Sequence, residues 1–516
     1  MTTFPPIQTD FYKVNHAPMF PDGTVRVESN LTPRKSRLPG INKIVVFGIQ
    51  FWILEFLIYQ WNRTFFGLPK HIAIARYKRL MDYTLGKDRV SMKYLEDLHD
   101  LGYMPLEIRA LPEGTLCPIG VPCLTITNTV DHAYWLVNYL ETILSCTVWQ
   151  PITSATIAHE YKKLLTKYAL ETTGSDEFVK FQGHDFSMRG MSSLESACTS
   201  GAGHLLSFVG TDTIPAISFL ESYYGANVEL ELVGTSVPAT EHSVMCMGTK
   251  GGEQATFERL LDLYPEGILS VVSDTWDLWE VLTEYLPNLK EKILARNGKL
   301  VIRPDSGDPV DIICGTVPTV LKLSDVDNPI SMAPQKGVIE CLWEIFGGKI
   351  NEYGYKELDP HVGAIYGDSI TLERADAICR RLKDKGFAST NIVFGIGSYT
   401  YQHNTRDTFG FAVKATYGEV MEWVDIQERP GDPPLRKMLV PVGREIFKAP
   451  ITDSGEKKSA KGLLKVIKLD TGELKLVQQC TKEQQNESNN ELKVVFRDGK
   501  LLVNQTLQEI RNRLNN

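Results

Sequence analysis

Carboxylates, arginines and glycines recur at one kind of place in this 516-residue chain, just after a short apolar run. Val179–Phe181 leads to Gly183-His184-Asp185, and Leu269–Val272 leads to Ser273-Asp274. Leu300–Ile302 leads to Arg303-Pro304-Asp305-Ser306-Gly307, Val362–Tyr366 to Gly367-Asp368, and Ile392–Phe394 to Gly395-Ile396-Gly397-Ser398. Such a kit suits a phosphorylated sugar with a hard divalent cation: oxygen ligands for Mg²⁺, backbone N–H groups for phosphate, Asp for ribose hydroxyls. Other chemistries lack their residues. There is no G-x-x-x-x-G-K-[ST] loop and no G-x-S-x-G elbow, and Thr400 stands where a dinucleotide fingerprint needs its third glycine. The ten histidines lack the spacing of a zinc site, and no lysine at a strand end offers Schiff-base chemistry.

The elements that must hold these corners follow from the same pattern. Helical periodicity comes after them, near Ser193–Phe208, from Asp277, near Val338–Phe346 and over Leu372–Lys385. Five strand–corner–helix units in series predict a parallel sheet, because parallel neighbours need helical crossovers. Polar residues past the C-terminal ends of such strands are where α/β barrels and open α/β sheets gather their chemistry. Before residue 150, short strands (Glu107–Ala110, Cys123–Ile126) mix with a helical pattern at Tyr134–Leu144. Pro151 is expected to open a second helix, Ile152–Glu171, that Gly174 stops. After about 405 the pattern alternates, with turns at Asp470-Thr471-Gly472 and Arg497-Asp498-Gly499. The polar stretch Thr481–Leu492 reads as a solvated loop and Leu507–Leu514 as a last helix. The expected architecture is α/β: an irregular (β/α) barrel over 151–400, plus a mixed α+β domain formed from 1–150 and 401–516.

Lys plus Arg (55) against Asp plus Glu (63) gives a net charge of −8. A mildly acidic chain is poorly suited to nucleic-acid or anionic-membrane binding, so local arginines and lysines must meet any anionic substrate. Nine cysteines without a C-x-x-C pair fit a reducing, cytoplasmic setting. Residues 1–20 do not read as a signal peptide. Ile44–Trp61 looks membrane-like but carries Glu55 at its centre, and reads as a strand leading into a buried helix.

Read in order, the corner residues are similar to those of the nicotinamide phosphoribosyltransferase family of type II phosphoribosyltransferases. The likeness starts at Thr9-Asp10-Phe11-Tyr12-Lys13-Val14-Asn15-His16 and ends at Lys457–Lys461. Its most specific pieces are His184-Asp185-Phe186-Ser187-Met188-Arg189-Gly190, Gly210-Thr211-Asp212-Thr213, Ser236-Val237-Pro238-Ala239-Thr240-Glu241-His242-Ser243, Val272-Ser273-Asp274 and Ile302-Arg303-Pro304-Asp305-Ser306-Gly307. The resemblance implies a homodimer with shared sites that joins nicotinamide to 5-phosphoribosyl 1-pyrophosphate with Mg²⁺, assisted by ATP through a phosphohistidine.

Residue by residue, the resemblance implies that Phe186 and Tyr12 of the partner subunit sandwich the pyridine ring. Asp212 would accept the amide N–H, although its own corner taken alone reads first as a helix N-cap. A carboxylate about 4 Å from Asp212 would be repelled by roughly 4 kcal/mol at an effective dielectric near 20, close to a thousandfold. Arg189, Arg303 and Arg34 would surround the pyrophosphate and ring edge. Arg406, Lys414 and Lys448 would hold phosphate, and Asp305 and Asp368 the ribose hydroxyls. Gly367, Gly397 and the Ser398 backbone would approach the 5′-phosphate. Asp10 and His184 lie in matched motifs and join the expected binding residues. Asp274 would help to order Mg²⁺, and His242 would accept the phosphoryl group. Four residues, His242, Asp305, Arg303 and Asp274, form the expected catalytic set.

Four positions depart from the family pattern. Ser398-Tyr399 replaces part of a glycine-rich run, Ala412 a phosphate-binding serine, and Ala449 an acidic residue after Lys448. These changes leave the reaction class intact and bear on the strength of ATP coupling. Two other readings use the same corners: a nicotinate phosphoribosyltransferase, and a non-catalytic nucleotide-binding protein.

Overall fold

In a computed structural model, residues 4–316, 329–426, 436–449, 451–452 and 460–515 are described. The end of the family-like stretch, at Lys457 and Lys458, lies outside them. The chain divides into two compact units: Met1–Thr153 with Ser222–Ala226 and Thr405–Asn516, and Ser154–Glu221 with Asn227–Asn404.

The second unit is built on a parallel sheet of β1 (Gly183–Asp185), β2 (Gly210–Thr211), β3 (Glu266–Val272), β4 (Asn297–Arg303), β5 (Val362–Tyr366) and β6 (Ile392–Ile396). Their spatial order is β2-β1-β6-β5-β4-β3. Every adjacent pair runs parallel. The sheet closes through an irregular segment, because Thr235 bridges to Gly210 at one edge and Ala239 to Ser270 at the other. Four backbone bonds fix this segment: Thr211 N–H to Thr235 O (2.9 Å), Thr235 N–H to Val209 O (2.7 Å), Thr240 N–H to Ser270 O (3.0 Å) and Ser270 N–H to Pro238 O (2.9 Å). The result is the α/β architecture expected, an irregular barrel with the polar corners at one end of its strands. β5 is buried throughout, as a parallel strand covered on both faces should be.

Two expectations for this half of the chain need correction. Val179–Gln182 is a helical turn, and the strand is Gly183–Asp185 itself. The apolar run is too short for periodicity to separate a strand from a buried turn. Pro151 does not open a helix but lies inside a continuous one, Glu141–Thr173. Beside it Gly48, with φ near +90°, leaves space: a Cβ there would come within 2.7 Å of the proline Cγ. Gly174 ends that helix with φ +70°, its N–H reaching Leu170 O at 3.1 Å.

The first unit holds an antiparallel sheet ordered Arg436–Glu445, Phe411–Ile426, Thr24–Pro33, Leu124–Asn128, Leu106–Ala110, Lys493–Arg497 and Lys500–Leu501. Its three central strands come from the N-terminal part of the chain, and the two on either side come from the C-terminal part. The glycine turns at 472 and 499 join hairpins as expected. The polar stretch after Cys480 is not all loop: Thr481 starts a helical turn, Lys482–Gln485, through a capping box with Gln484. Ile44–Trp61 is a strand, Lys43–Val45, followed by a helix Ile49–Trp52 that widens into a π-helix over Ile53–Tyr59. No helix among the described residues is long and apolar enough to cross a membrane.

Candidate active site

Two cavities of the barrel unit adjoin at the strand-end corners. The inner one, about 470 Å³, is lined largely by apolar residues such as Phe178, Val301, Val362 and Ile365. The outer one, about 1040 Å³, lies at the strand ends and is lined by Arg189, His242, Asp305, Gly367, Asp368, Gly397 and Ser398 among others. They meet on four shared residues: Phe186, Asp212, Ala239 and Arg303.

Phe186 follows β1. Asp185 turns the chain there by accepting the Ser187 N–H at 2.9 Å, while the Phe186 N–H bonds to Ile396 O at 3.0 Å. The ring lies 4.7 Å from the His184 ring and 4.9 Å from the Arg303 guanidinium, centroid to centre. Two glycines make its seat. A Cβ on Gly395 would fall 2.5 Å from Phe186 Cδ2, and one on Gly367 would fall 2.7 Å from Asp305 Oδ1 and 3.4 Å from Arg303 Nε. Gly367 thus admits protein side chains as well as bordering the cavity. Gly397 faces open space, with nothing within 4 Å of a Cβ.

Asp212 stands just past β2 and does not cap the helix that follows. Its Oδ1 accepts His184 Nε2–H at 2.8 Å and the Ser236 hydroxyl at 2.6 Å. Burial alone would raise its pKa. The bonds from His184 and Ser236 and the field of Arg303 overcome that and hold the carboxyl below the usual aspartate range.

The corners after β3 and β4 are tied together. Asp274 Oδ2 accepts the Asp305 N–H at 2.8 Å and the Ser306 hydroxyl at 2.6 Å. Its Oδ1 is buried without a hydrogen-bond partner and lies 3.4 Å from His242 Nε2. His242 is half exposed and begins the short helix His242–Met247. Asp368 accepts the Ser369 hydroxyl at 2.8 Å, in a turn where Ser369 takes φ +52°. Burial, then the field of Asp368, Asp274, Asp305 and Asp308, raises the pKa of the Tyr366 hydroxyl, which donates to Gly307 O at 2.8 Å. No three His, Cys, Asp or Glu side chains among the described residues form a metal-binding group. The unpartnered Asp274 Oδ1 nevertheless fits Mg²⁺ carried on substrate phosphates, since that ion keeps its waters and takes only one or two protein carboxylates.

The remaining expected residues lie in the first unit. Asp10 accepts the Thr142 hydroxyl at 2.6 Å. Lys13 is buried and pairs with Glu141 at 2.7 Å, and Lys414 Nζ lies 3.9 Å from the same carboxylate. Tyr12 stands beside them, 64% exposed. Arg34 donates to Gly410 O at 3.3 Å. Arg406 lies 3.4 Å from Asp407, and Lys448 is exposed. The chain therefore gathers its expected site residues as two sets, one in each unit.

Ser236 lies in one of the matched motifs but was given no role of its own, and Glu141 was not singled out in the sequence. Ser236 sits on the closing segment, whose Pro238 demotes it as a strand, because proline cannot donate to a ladder. Glu141 gave no signal apart from its two distant lysine partners.

Comparison with known proteins places the chain in a family. The model of the nicotinate phosphoribosyltransferase (NAPRTase) family matches residues 181–432, and that of the nicotinamide phosphoribosyltransferase N-terminal domain matches residues 6–61. A nicotinamide phosphoribosyltransferase of Acinetobacter baylyi is 51% identical over 98% of this chain and 96% of its own. One of Mycoplasma pneumoniae is 35% identical over 83% of this chain and 93% of its own. In fold, the chain is similar to a nicotinate-nucleotide pyrophosphorylase from Pyrococcus furiosus, with TM-score 0.55 at 15% identity, covering 99% of this chain and 95% of that one.

Proposed function

The chain belongs to the nicotinamide phosphoribosyltransferase family, and from that premise we propose that it joins nicotinamide to 5-phosphoribosyl 1-pyrophosphate, giving nicotinamide mononucleotide and pyrophosphate for NAD salvage. The observation that carries this reading is Asp212. It is an ionised acceptor where an apolar cavity meets a polar one, and both of its protein donors use the same oxygen. An amide N–H can donate to the other oxygen, whereas a carboxylate meets a like charge.

The pyridine stacks on Phe186, a contact worth roughly 0.5–1.5 kcal/mol beyond area burial. With the amide on Asp212, the ring nitrogen is turned toward the outer cavity, where Asp305 and Asp368 hold the ribose hydroxyls. The ring-nitrogen lone pair forms the bond to the anomeric carbon as the bond to pyrophosphate oxygen breaks, through an oxocarbenium-like transition state. The electron pair leaves on pyrophosphate, and Arg303 and Arg189 stabilise its charge. Mg²⁺, held through Asp274 and the substrate phosphates, supplies further charge neutralisation when bound. No side chain attacks the sugar.

A homodimer completes the site in this reading. The partner subunit's Tyr12 covers the second face of the ring, and its Arg406, Lys414 and Lys448 reach phosphate. ATP is a co-substrate: His242 accepts its γ-phosphoryl group, the N–P bond forming as the bond to the ADP oxygen breaks. His242 lines the outer cavity with its Nε2 3.4 Å from Asp274, and its imidazole is the nucleophile. All nine cysteines are free thiols, which supports a cytoplasmic setting.

The test is a competition. Protein, pyrophosphorylated sugar, Mg²⁺ and equal nicotinamide and nicotinate are mixed, and the two mononucleotides are followed with and without ATP. Nicotinamide mononucleotide should dominate, and Asp212→Ser should erode the preference by up to roughly a thousandfold. Dominance of nicotinate would favour the nicotinate enzyme, and absence of both products the non-catalytic reading. Label from γ-phosphate-labelled ATP should appear on the wild type and not on His242→Gln.

A further inference from the structure

We infer that Ser236 and His184 are positioning residues that set substrate choice by holding one oxygen of Asp212, so that the other is presented, ionised and in a fixed direction, to the pyridine substituent. The inference rests on the reading of Asp212 as the amide acceptor.

Three neighbouring segments of the barrel converge on a single atom. His184 is the central residue of β1, and its strand partner on β2 is Gly210. That glycine lets the imidazole lie across the neighbouring strand: a Cβ at 210 would come within 2.8 Å of His184 Nδ1 and 3.0 Å of Gly183 O. From there Nε2 reaches Asp212, two residues further along the chain from Gly210, at 2.8 Å. Ser236 arrives from the opposite side, on the closing segment, one residue after the Thr235–Gly210 bridge that fixes its height. Its hydroxyl donates to the same Oδ1 at 2.6 Å.

Among the described residues no donor reaches Oδ2, although Asp212 lines both cavities. Had the two donors taken one oxygen each, the carboxylate would be satisfied and closed to a ligand. Sharing Oδ1 locks the rotamer and leaves Oδ2 open. The low aspartate pKa agrees, since both bonds favour the ionised form against burial. Removing the Ser236 hydroxyl would leave a partly buried carboxylate with one donor, freer to turn or to take up a proton. A protonated Asp212 no longer repels an acid.

The measurement is the ratio of kcat/KM for nicotinamide to that for nicotinate, with the pH profile of the nicotinamide reaction. Ser236→Ala should lower the ratio roughly ten- to hundredfold, the worth of a hydrogen bond to a charged group. It should also shift the acid limb of the profile to higher pH. Ser236→Thr, which keeps the hydroxyl, should restore both, and equal melting temperatures exclude a folding effect. Asp212→Ser serves as the control. If it collapses the ratio while Ser236→Ala leaves the ratio within twofold of wild type, or slows both substrates alike, the positioning role is overturned and the reading of Asp212 stands. If Asp212→Ser itself leaves the ratio unchanged, that reading falls and this inference with it.

Discussion

The polar clusters at the barrel's strand ends and around Glu113 in the first unit are built differently. In the barrel, the polar side chains stand at strand ends and leave valences open: one oxygen of Asp274 and the Nε of Arg303 are buried without a hydrogen-bond partner. In the other unit, polar groups close on each other. Glu113 accepts the N–H groups of Gly48 (3.1 Å) and Gln50 (2.6 Å), its own N–H donates to the Gln505 side chain (2.9 Å), and Gln50 and Gln505 bond reciprocally. That network joins segments more than 390 positions apart in sequence. An unsatisfied buried group costs stability unless a ligand meets it. The barrel presents Asp274 and Arg303 at its strand ends, and the first unit spends the Glu113 network on holding distant pieces of chain together.

The largest effect that separates the two should come from Arg303→Ala. The guanidinium sits 4.9 Å from the Phe186 ring centre and lines both cavities. Its loss should lower kcat/KM roughly 10²–10³-fold, as removal of a preorganised transition-state donor does. The melting temperature should stay near wild type or rise. A large fall in melting temperature would mean that this arginine is structural and that the contrast fails on the barrel side.

Glu113 sharpens the other side. Burial pushes its carboxyl up to about 7 against the bonds from Gln50 and Gly48, from 4.5 when exposed. With the folded pKa above the unfolded one, the folded state binds more protons between those values, and stability falls as pH rises through that window. The total is roughly 3 kcal/mol for a shift of this size. Melting temperature measured from pH 4.5 to 7.5 should show this loss in the wild type and a flatter curve in Glu113→Gln. Identical curves would remove Glu113 as the source.

Gly395→Ala tests a position where both effects should appear. The new methyl would meet the Phe186 ring at 2.5 Å and Gly367 Cα at 2.8 Å, and the backbone cannot yield as a side chain can. Overpacking of this kind costs roughly 1–3 kcal/mol. The displaced ring should also raise KM for nicotinamide more than KM for the phosphorylated sugar. Equal changes in the two would show that Phe186 is not the pyridine platform.

How far the sequence disclosed these two regions follows from the same contrast. The barrel corners were legible because each is local: a short apolar run leads straight into a polar turn. The parallel order and the α/β class followed from them. What sequence did not disclose was non-local. Ser236 acts from an irregular segment that only two isolated bridges tie to the sheet, and Gly395 matters because Phe186, 209 positions earlier, lies against it. Pro151 was misread for a related reason, since its tolerance inside a helix depends on the distant Gly48. In the first unit almost every informative contact is of this kind.

The smallest effect belongs to a feature of the first unit that is local and was still missed. Thr481 accepts the Gln484 N–H at 3.2 Å, and the Gln484 side chain accepts the Thr481 N–H at 2.9 Å, a reciprocal cap in a stretch that reads as loop from its polar composition. The turn it starts presents Gln485, whose side chain donates to buried Glu28 at 2.7 Å and to Leu464 O at 3.2 Å. Thr481→Ala should therefore cost about 1 kcal/mol, the usual worth of such a cap. Thermal denaturation should report it, with kcat and KM for both substrates unchanged. A loss of several kcal/mol would mean that the cap anchors Glu28 as firmly as Gln50 anchors Glu113, and a change in KM would mean that this turn reaches the site.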